Sequence, residues 1–178
     1  MPENMIGEII NGRVIAMPRP AGPHGQASSA LGANIFMPFQ KGRYGPGGWW
    51  IIDEPEIHFI RDIEITVPDI AGWRRERMVS PPRTHRYEII PDWICEILSP
   101  STAKLDRTEK MPLYARYGVK HLWLIDPLLK LLEVYELQAL NWINLGNFKD
   151  NDGVNAAPFA EITLNLNDLW LPDIEENR

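Results

Sequence analysis

The chain has 178 residues, 44% of them hydrophobic and 10% aromatic, with a formal charge of −6. That is enough apolar material for one domain with a buried core, and it excludes disorder over most of the length. No apolar run approaches the ~18 residues a membrane span needs, no charged-then-apolar start reads as a signal peptide, and the single cysteine, Cys95, excludes an internal disulfide and a cysteine zinc cluster.

A cytoplasmic protein with no membrane partner is the expectation. The charge is uneven. Residues 52–69 carry six acids and one base, residues 70–132 eleven bases and seven acids, and residues 133–178 nine acids and two bases. The overall sign therefore says little about what the basic middle binds.

Residues 17–23 hold three prolines and predict a rigid loop. Ala27, Ala30, Leu31, Asn34, Ile35 and Phe39 have mostly helical spacing, so a helix is expected over 24–40, ended by the glycine-rich 41–48. Residues 49–60 read as a strand with Pro55 its weak point. Residues 63–70 alternate as a half-buried strand does, with Arg61-Asp62 a tight hairpin between them. The arginine- and proline-rich 74–91 predict a loop.

Trp93–Leu98 reads as a buried strand, and 102–117 as a helix capped by Gly118, with Pro112 placed to kink it. Strands follow at His121–Asp126 and Leu131–Leu137. Beyond 138 the pattern is mixed: a strand at 154–164, then an acidic tail expected to fray. The order implies an α/β or α+β domain around a mixed sheet.

Much chemistry is missing. There is no phosphate-cradling Gly-x-x-x-x-Gly-Lys-Ser/Thr loop, no Gly-x-Ser-x-Gly elbow and no His-Glu-x-x-His. The four histidines are scattered, and Cys95 lies inside an apolar strand, where a thiol is usually inert. The informative residues are acids inside apolar strands. Ile94, Glu96 and Leu98 share one face by alternation, and a carboxylate there is costly unless a cation or donors meet it. Asp69 ends the preceding strand behind Pro68.

An arginine partner for Glu96 and a turn-capping role for Asp69 are the plain alternative. A two-residue hairpin would set Glu56 opposite Val67 and Glu54 opposite Asp69, crowding carboxylates that a divalent cation would relieve. Solvent exposure of Glu54 and Glu56 is the plainer expectation. On the following helix, Asp106, Lys110 and Tyr114 lie on one face. Lys110 is then either half of a surface ion pair or an ammonium aimed at a phosphate or a metal-bound water.

Val67-Pro68-Asp69-Ile70-Ala71-Gly72-Trp73, Glu96-Ile97-Leu98-Ser99-Pro100-Ser101-Thr102, Lys110 through Tyr114, Tyr117-Gly118-Val119 and Leu122–Pro127 resemble the Uma-two family of bacterial "putative restriction endonucleases". The resemblance runs from about residue 15 to 137, within one domain spanning 1–178 and ending in an acidic extension, 138–178. It implies the restriction-endonuclease-like fold of the PD-(D/E)XK nucleases, a mixed β-sheet flanked by helices.

It also implies an endonuclease that hydrolyses DNA phosphodiesters with Mg²⁺ or Mn²⁺. Asp69 and Glu96 would hold the metal and Lys110 would be the active-site lysine, with Lys104 its competitor. Leu98 stands where the superfamily pattern has its lysine. Glu56 and His24 are further candidates for the site. Arg74, Arg75, Arg77 and Arg107 are candidate DNA contacts. The family fold is often dimeric, since a duplex presents two strands, so a homodimer is compatible. Two other readings compete: a degenerate nuclease fold serving as a binding module, and a metal-dependent hydrolase of another phosphate ester.

Overall fold

The computed structural model describes residues 5–18 and 21–173. Arg19 and Pro20 of the expected loop, and the tail from 174, lie outside the described residues. The chain opens with a hairpin, β1 (Met5–Ile10) and β2 (Arg13–Pro18). Asn11 and Gly12 turn it with φ of 51° and 74°, the left-handed pair that suits a two-residue hairpin loop. Helix α1 (Gly22–Ile35) follows and ends in a π-helical turn, Phe36–Gln40, so the expected helix is present over nearly its full length.

The expected strand at 49–60 is two strands in two sheets: β3 (Trp49–Asp53) and β4 (Glu56–Ile60). Glu54, at φ 44°, and Pro55 make the break. The same happens to its partner, which divides into β5 (Glu64–Thr66) and β6 (Ile70–Arg74) around Pro68. A proline donates nothing to a ladder, so each strand leaves its sheet there. The hairpin register is also corrected. His58 faces Ile65 as expected, but a bulge sets Ile60 opposite Glu64. Glu54 meets Asp69 only through its backbone, N–H to carbonyl at 3.0 Å.

Most of 74–91 is loop, with a short β7 (Arg86–Tyr87) parallel to β4. Then come β8 (Trp93–Ile97), a helix over 103–116 and β9 (His121–Asp126), with β8 and β9 parallel neighbours. This is a strand–helix–strand crossover. We label the helix α2. Its middle turn, Asp106–Lys110, is π-helical, and Met111 N–H bonds back to Asp106 O. The distortion precedes Pro112, which has no N–H to continue the α ladder. Gly118 adopts φ 78° past its end.

Strand β10 (Leu131–Gln138) follows as expected. Strand β11 (Asn141–Lys149) is an outer strand whose many polar residues obscure its alternation. Of the expected strand at 154–164, only a ribbon of β12 (Gly153–Val154) and β13 (Leu164–Asn165) forms.

One mixed sheet runs β2-β1-β5-β4-β7 and the other β11-β10-β9-β8-β6-β3. The six-stranded sheet is covered on both faces. Trp93, Cys95 and Ile97 pack with Trp123, Ile125, α1 and the segment containing Phe159, Leu166 and Leu169. On the other face Ile94, Leu98, Leu122 and Leu124 pack with Leu113 and Tyr114 of α2 and with Ile10 and Ile57 of the five-stranded sheet. Phe159 lies with ring centroids 4.6–5.7 Å from Phe39, Trp49, Trp93 and Trp123, so the residues beyond 138 help close the core.

Between the tryptophans Gly72 is the thin point. A Cβ there would stand 3.2 Å from ring atoms of both Trp49 and Trp93 and 3.3 Å from Ile51. Gly72→Ala is expected to cost about 1–3 kcal/mol through overpacking, a fall of roughly 3–10 °C in melting temperature at this size. A thermal melt checks it.

Candidate active site

The strand switches place the acids. As β5 leaves one sheet and β6 enters the other, Asp69 lands beside the end of β8. There its Oδ2 accepts the Ile97 N–H at 2.6 Å. Its Oδ1 lies 3.0 Å from His24 Nε2 on the first turn of α1. Glu96 points from β8 toward α2, on the Ile94–Leu98 face, and is buried.

Among the described residues no arginine meets Glu96. Lys110 Nζ is 2.7 Å from its Oε1, and the Tyr114 hydroxyl donates to the same oxygen at 2.5 Å. Lys110 itself is only 1% exposed. Its ammonium also lies 3.0 Å from Glu8 Oε1 and 3.7 Å from Asp106 Oδ1. The surface ion pair of the plain alternative is therefore ruled out. The π-helical turn carries both Asp106 and Lys110 inward.

The surroundings shift these groups. Burial pushes the Glu96 carboxyl well above the usual range, although Lys110 opposes it. Burial raises Asp106 in the same way, again against Lys110. For Lys110 burial works against the charge, but Glu8 and Glu96 outweigh it and the ammonium is held well above its ordinary value. Burial likewise opposes charge on His24, and the hydrogen bond and charge of Asp69 overcome it, raising the imidazole. Four carboxylates thus surround one ammonium and one imidazole, an excess of negative charge in a poorly solvated place. A cavity of about 350 Å³ opens onto Asp69, Glu96, His24, Asp106, Lys110 and the Ser99–Thr102 turn.

The candidates divide clearly. Asp69, Glu96, Lys110 and His24 converge on that cavity. Glu56 does not: it lies in the other sheet, paired with His58 at 2.7 Å and near His85 at 3.6 Å. Lys104 is exposed and does not line the cavity.

The four arginines have partners inside the protein. Arg74 lies over the Trp49 ring and Arg75 over Trp50, with Arg75 also bonded to the Gln40 and Trp49 carbonyls. Arg77 pairs with Asp92 at 2.8 Å, and Arg107 makes a two-pronged pair with Glu133 at 2.8 and 2.9 Å. Arg74 also stands at the far end of β6 from Asp69, on the order of 16 Å along the strand.

One participant escapes the sequence reading. Glu8, on β1, is buried, accepts the Val67 N–H at 2.7 Å and holds Lys110. The Asn11-Gly12 pair flanked by apolar runs is a hairpin signal. It would have exposed Glu8 as an acid inside an apolar strand, the same signal that marks Glu96.

Among the described residues, no helix is long and apolar enough to cross a membrane. No curated protein matches the chain. Among solved structures, four chains match. One is the crystal structure of a "putative nuclease belonging to DUF820" from Anabaena variabilis ATCC 29413, 27% identical, with a TM-score of 0.73 over 92% of this chain and 88% of that one. The mixed sheets and two helices described above match the fold of this nuclease neighbour. A family model described as "Putative restriction endonuclease" matches residues 2–167. The chain is thus a member of this family, Uma2, as its Pro-Asp and Glu-x-Leu-Ser-Pro-Ser-Thr stretches anticipate.

Proposed function

We propose that the protein is a Mg²⁺-dependent DNA endonuclease, with Asp69 and Glu96 as metal ligands and Lys110 as the active-site lysine. The observation that carries this reading is the buried Lys110 ammonium, 2.7 Å from Glu96, facing the same cavity as Asp69. The donor set fits a hard divalent cation, because it offers carboxylate oxygens in excess over cations. Among the described residues no three His, Cys, Asp or Glu side chains form a ready metal cage. Mg²⁺ suits such a site, since it commonly takes one or two carboxylates and keeps its waters.

When bound, the metal would acidify a water and neutralise phosphate charge. The chain's own groups do the rest. Ile97 N–H and His24 hold the Asp69 carboxylate in one orientation. Tyr114 and Lys110 share Glu96 Oε1, which fixes that carboxylate. Glu8 keeps Lys110 charged, and the ammonium orients the attacking water or balances charge growing on the phosphate.

Plasmid nicking by purified protein in Mg²⁺ or Mn²⁺, with EDTA as control, tests the activity. Cleavage that needs metal supports the reading. Absence of cleavage while metal still binds would sink it in favour of another phosphate ester or a binding module.

Metal binding has a second readout. Ionising Glu96 and Asp106 costs stability as pH rises, because their folded values are raised. A divalent cation relieves that cost. Saturating Mg²⁺ or Mn²⁺, at about 100 times its dissociation constant, is expected to add about 2.7 kcal/mol. That is a rise of roughly 5–10 °C in melting temperature at pH 8, and at the same metal concentration the rise is smaller at pH 5. An equal shift at both pH values, or in an Asp69→Asn variant, would rule out binding at this cluster.

A further inference from the structure

A second cavity, of about 750 Å³, adjoins the first, and His24 and Asp69 line both. One side is α1, where Gly25 and Gly32 leave the surface flat; Phe36 and Ile70 add apolar wall, and Asp53 and Glu54 add carboxylates. The volume is that of a small-molecule pocket.

Its chemistry selects the occupant. Asp53, Glu54 and Asp69 put three carboxylates on this wall, so a phosphate is disfavoured here except beside the metal that Asp69 and Glu96 would hold. Carboxylates accept hydrogen bonds, so of the groups a nucleic acid carries, a base with an exocyclic amino donor is favoured over a phosphate. Apolar walls beside a flat helix face suit a planar ring.

We propose that this cavity holds one unpaired, amino-bearing nucleobase (cytosine, adenine or guanine) of the strand whose phosphate lies at Asp69 and Glu96. The inference rests on the nuclease reading above and narrows it. Unstacking a paired base is costly and an unpaired one is already free. The favoured substrates are therefore single strands, mismatches and flaps, and thymine, which offers one imide N–H and no amino group, is the weakest occupant.

The glycines make the test clean. A Cβ on Gly25 meets nothing within 4 Å, and one on Gly32 meets only Ile70 Cδ1 at 3.9 Å. Both positions therefore accept a Cβ without a clash, Gly25→Leu and Gly32→Leu add bulk on the cavity's helical wall, and thermal melts check that both variants fold. The probe is a phosphorothioate-linked oligothymidine carrying one 2-aminopurine, titrated into the full chain in Mg²⁺ and followed by fluorescence.

A saturable signal is expected, weakened tenfold or more in both variants, and absent when the reporter is buried in a matched duplex of equal concentration. A signal unchanged in both variants overturns the pocket, as does binding of 2-aminopurine nucleoside monophosphate without binding of the strand. The two readings fail separately. Plasmid cleavage without this signal keeps the nuclease and removes the pocket. The signal without any metal-dependent cleavage keeps the pocket and removes the nuclease.

Discussion

Replacing Lys110 with Met should abolish cleavage and also cost about 3–5 kcal/mol of stability, as expected when one partner of a buried charged network is removed. For a chain of 178 residues that is a fall of roughly 10 °C or more in melting temperature. The reason is local. Glu8, Glu96 and Asp106 all lie within reach of the Lys110 ammonium, and no other lysine or arginine among the described residues pairs with Glu8, Glu96 or Asp106.

The loss has a pH signature. Without Lys110 the carboxylates can escape repulsion only by taking up protons. Their folded values rise further, and a group with a raised value favours folding at low pH and penalises it as pH climbs. The deficit of Lys110→Met should therefore be larger at pH 8 than at pH 5. Thermal melts at both pH values measure it. A variant as stable as the parent at pH 8 would mean that the ammonium does not hold this cluster together.

Asp69→Asn should act differently, lowering cleavage on the order of 10³-fold while leaving the fold nearly intact. The estimate takes a metal-ligand carboxylate as worth about 4 kcal/mol of transition-state stabilisation. The amide oxygen can still accept the Ile97 N–H, so the link between β8 and the β5–β6 switch survives. The charge is lost, and with it the attraction that raises His24.

In the parent, the His24–Asp69 pair contributes fully below the ordinary histidine value of 6.5 and fades as pH rises through the raised folded value. Asp69→Asn should remove that slope. Nicking assays and a pH series of thermal melts check both halves. Cleavage at the parent's rate would exclude Asp69 as a ligand. The two substitutions together separate a residue whose charge holds the structure from one whose charge serves chemistry.

The unequal legibility of the site has physical causes. Glu96 stood out because alternation puts it on a buried face between Ile94 and Leu98, and such an acid demands a partner. Helical spacing puts Asp106, Lys110 and Tyr114 on one side, but only the family resemblance implies Lys110, with Lys104 its competitor, as the lysine of the site, and its pairing with Glu96 is seen only in the structure. From the sequence His24 is only a further candidate. It sits on the first turn of α1, 45 residues ahead of Asp69 in the numbering, and only the packing of α1 on the six-stranded sheet brings the two within 3.0 Å. The arginines of 74–77 looked free because a proline-rich stretch hides its tertiary neighbours. Two of them lie on tryptophan rings, and the third pairs with Asp92.

Local pattern alone therefore determined the strand–helix–strand unit, the face on which Glu96 lies, and the lysine four residues beyond Asp106. Those properties depend on the 2.0 and 3.6 periodicities and on a few residues at a time. Tertiary structure decided the rest. It bent two long strands from one sheet into the other at Pro55 and Pro68, removed Glu56 from the acids, and carried Glu8 in from the amino-terminal hairpin. Such long-range placements are set by which apolar faces must be buried together. An ammonium's partners 88 residues apart, as Glu8 and Glu96 are for Lys110, are fixed by that packing and not by any spacing along the chain.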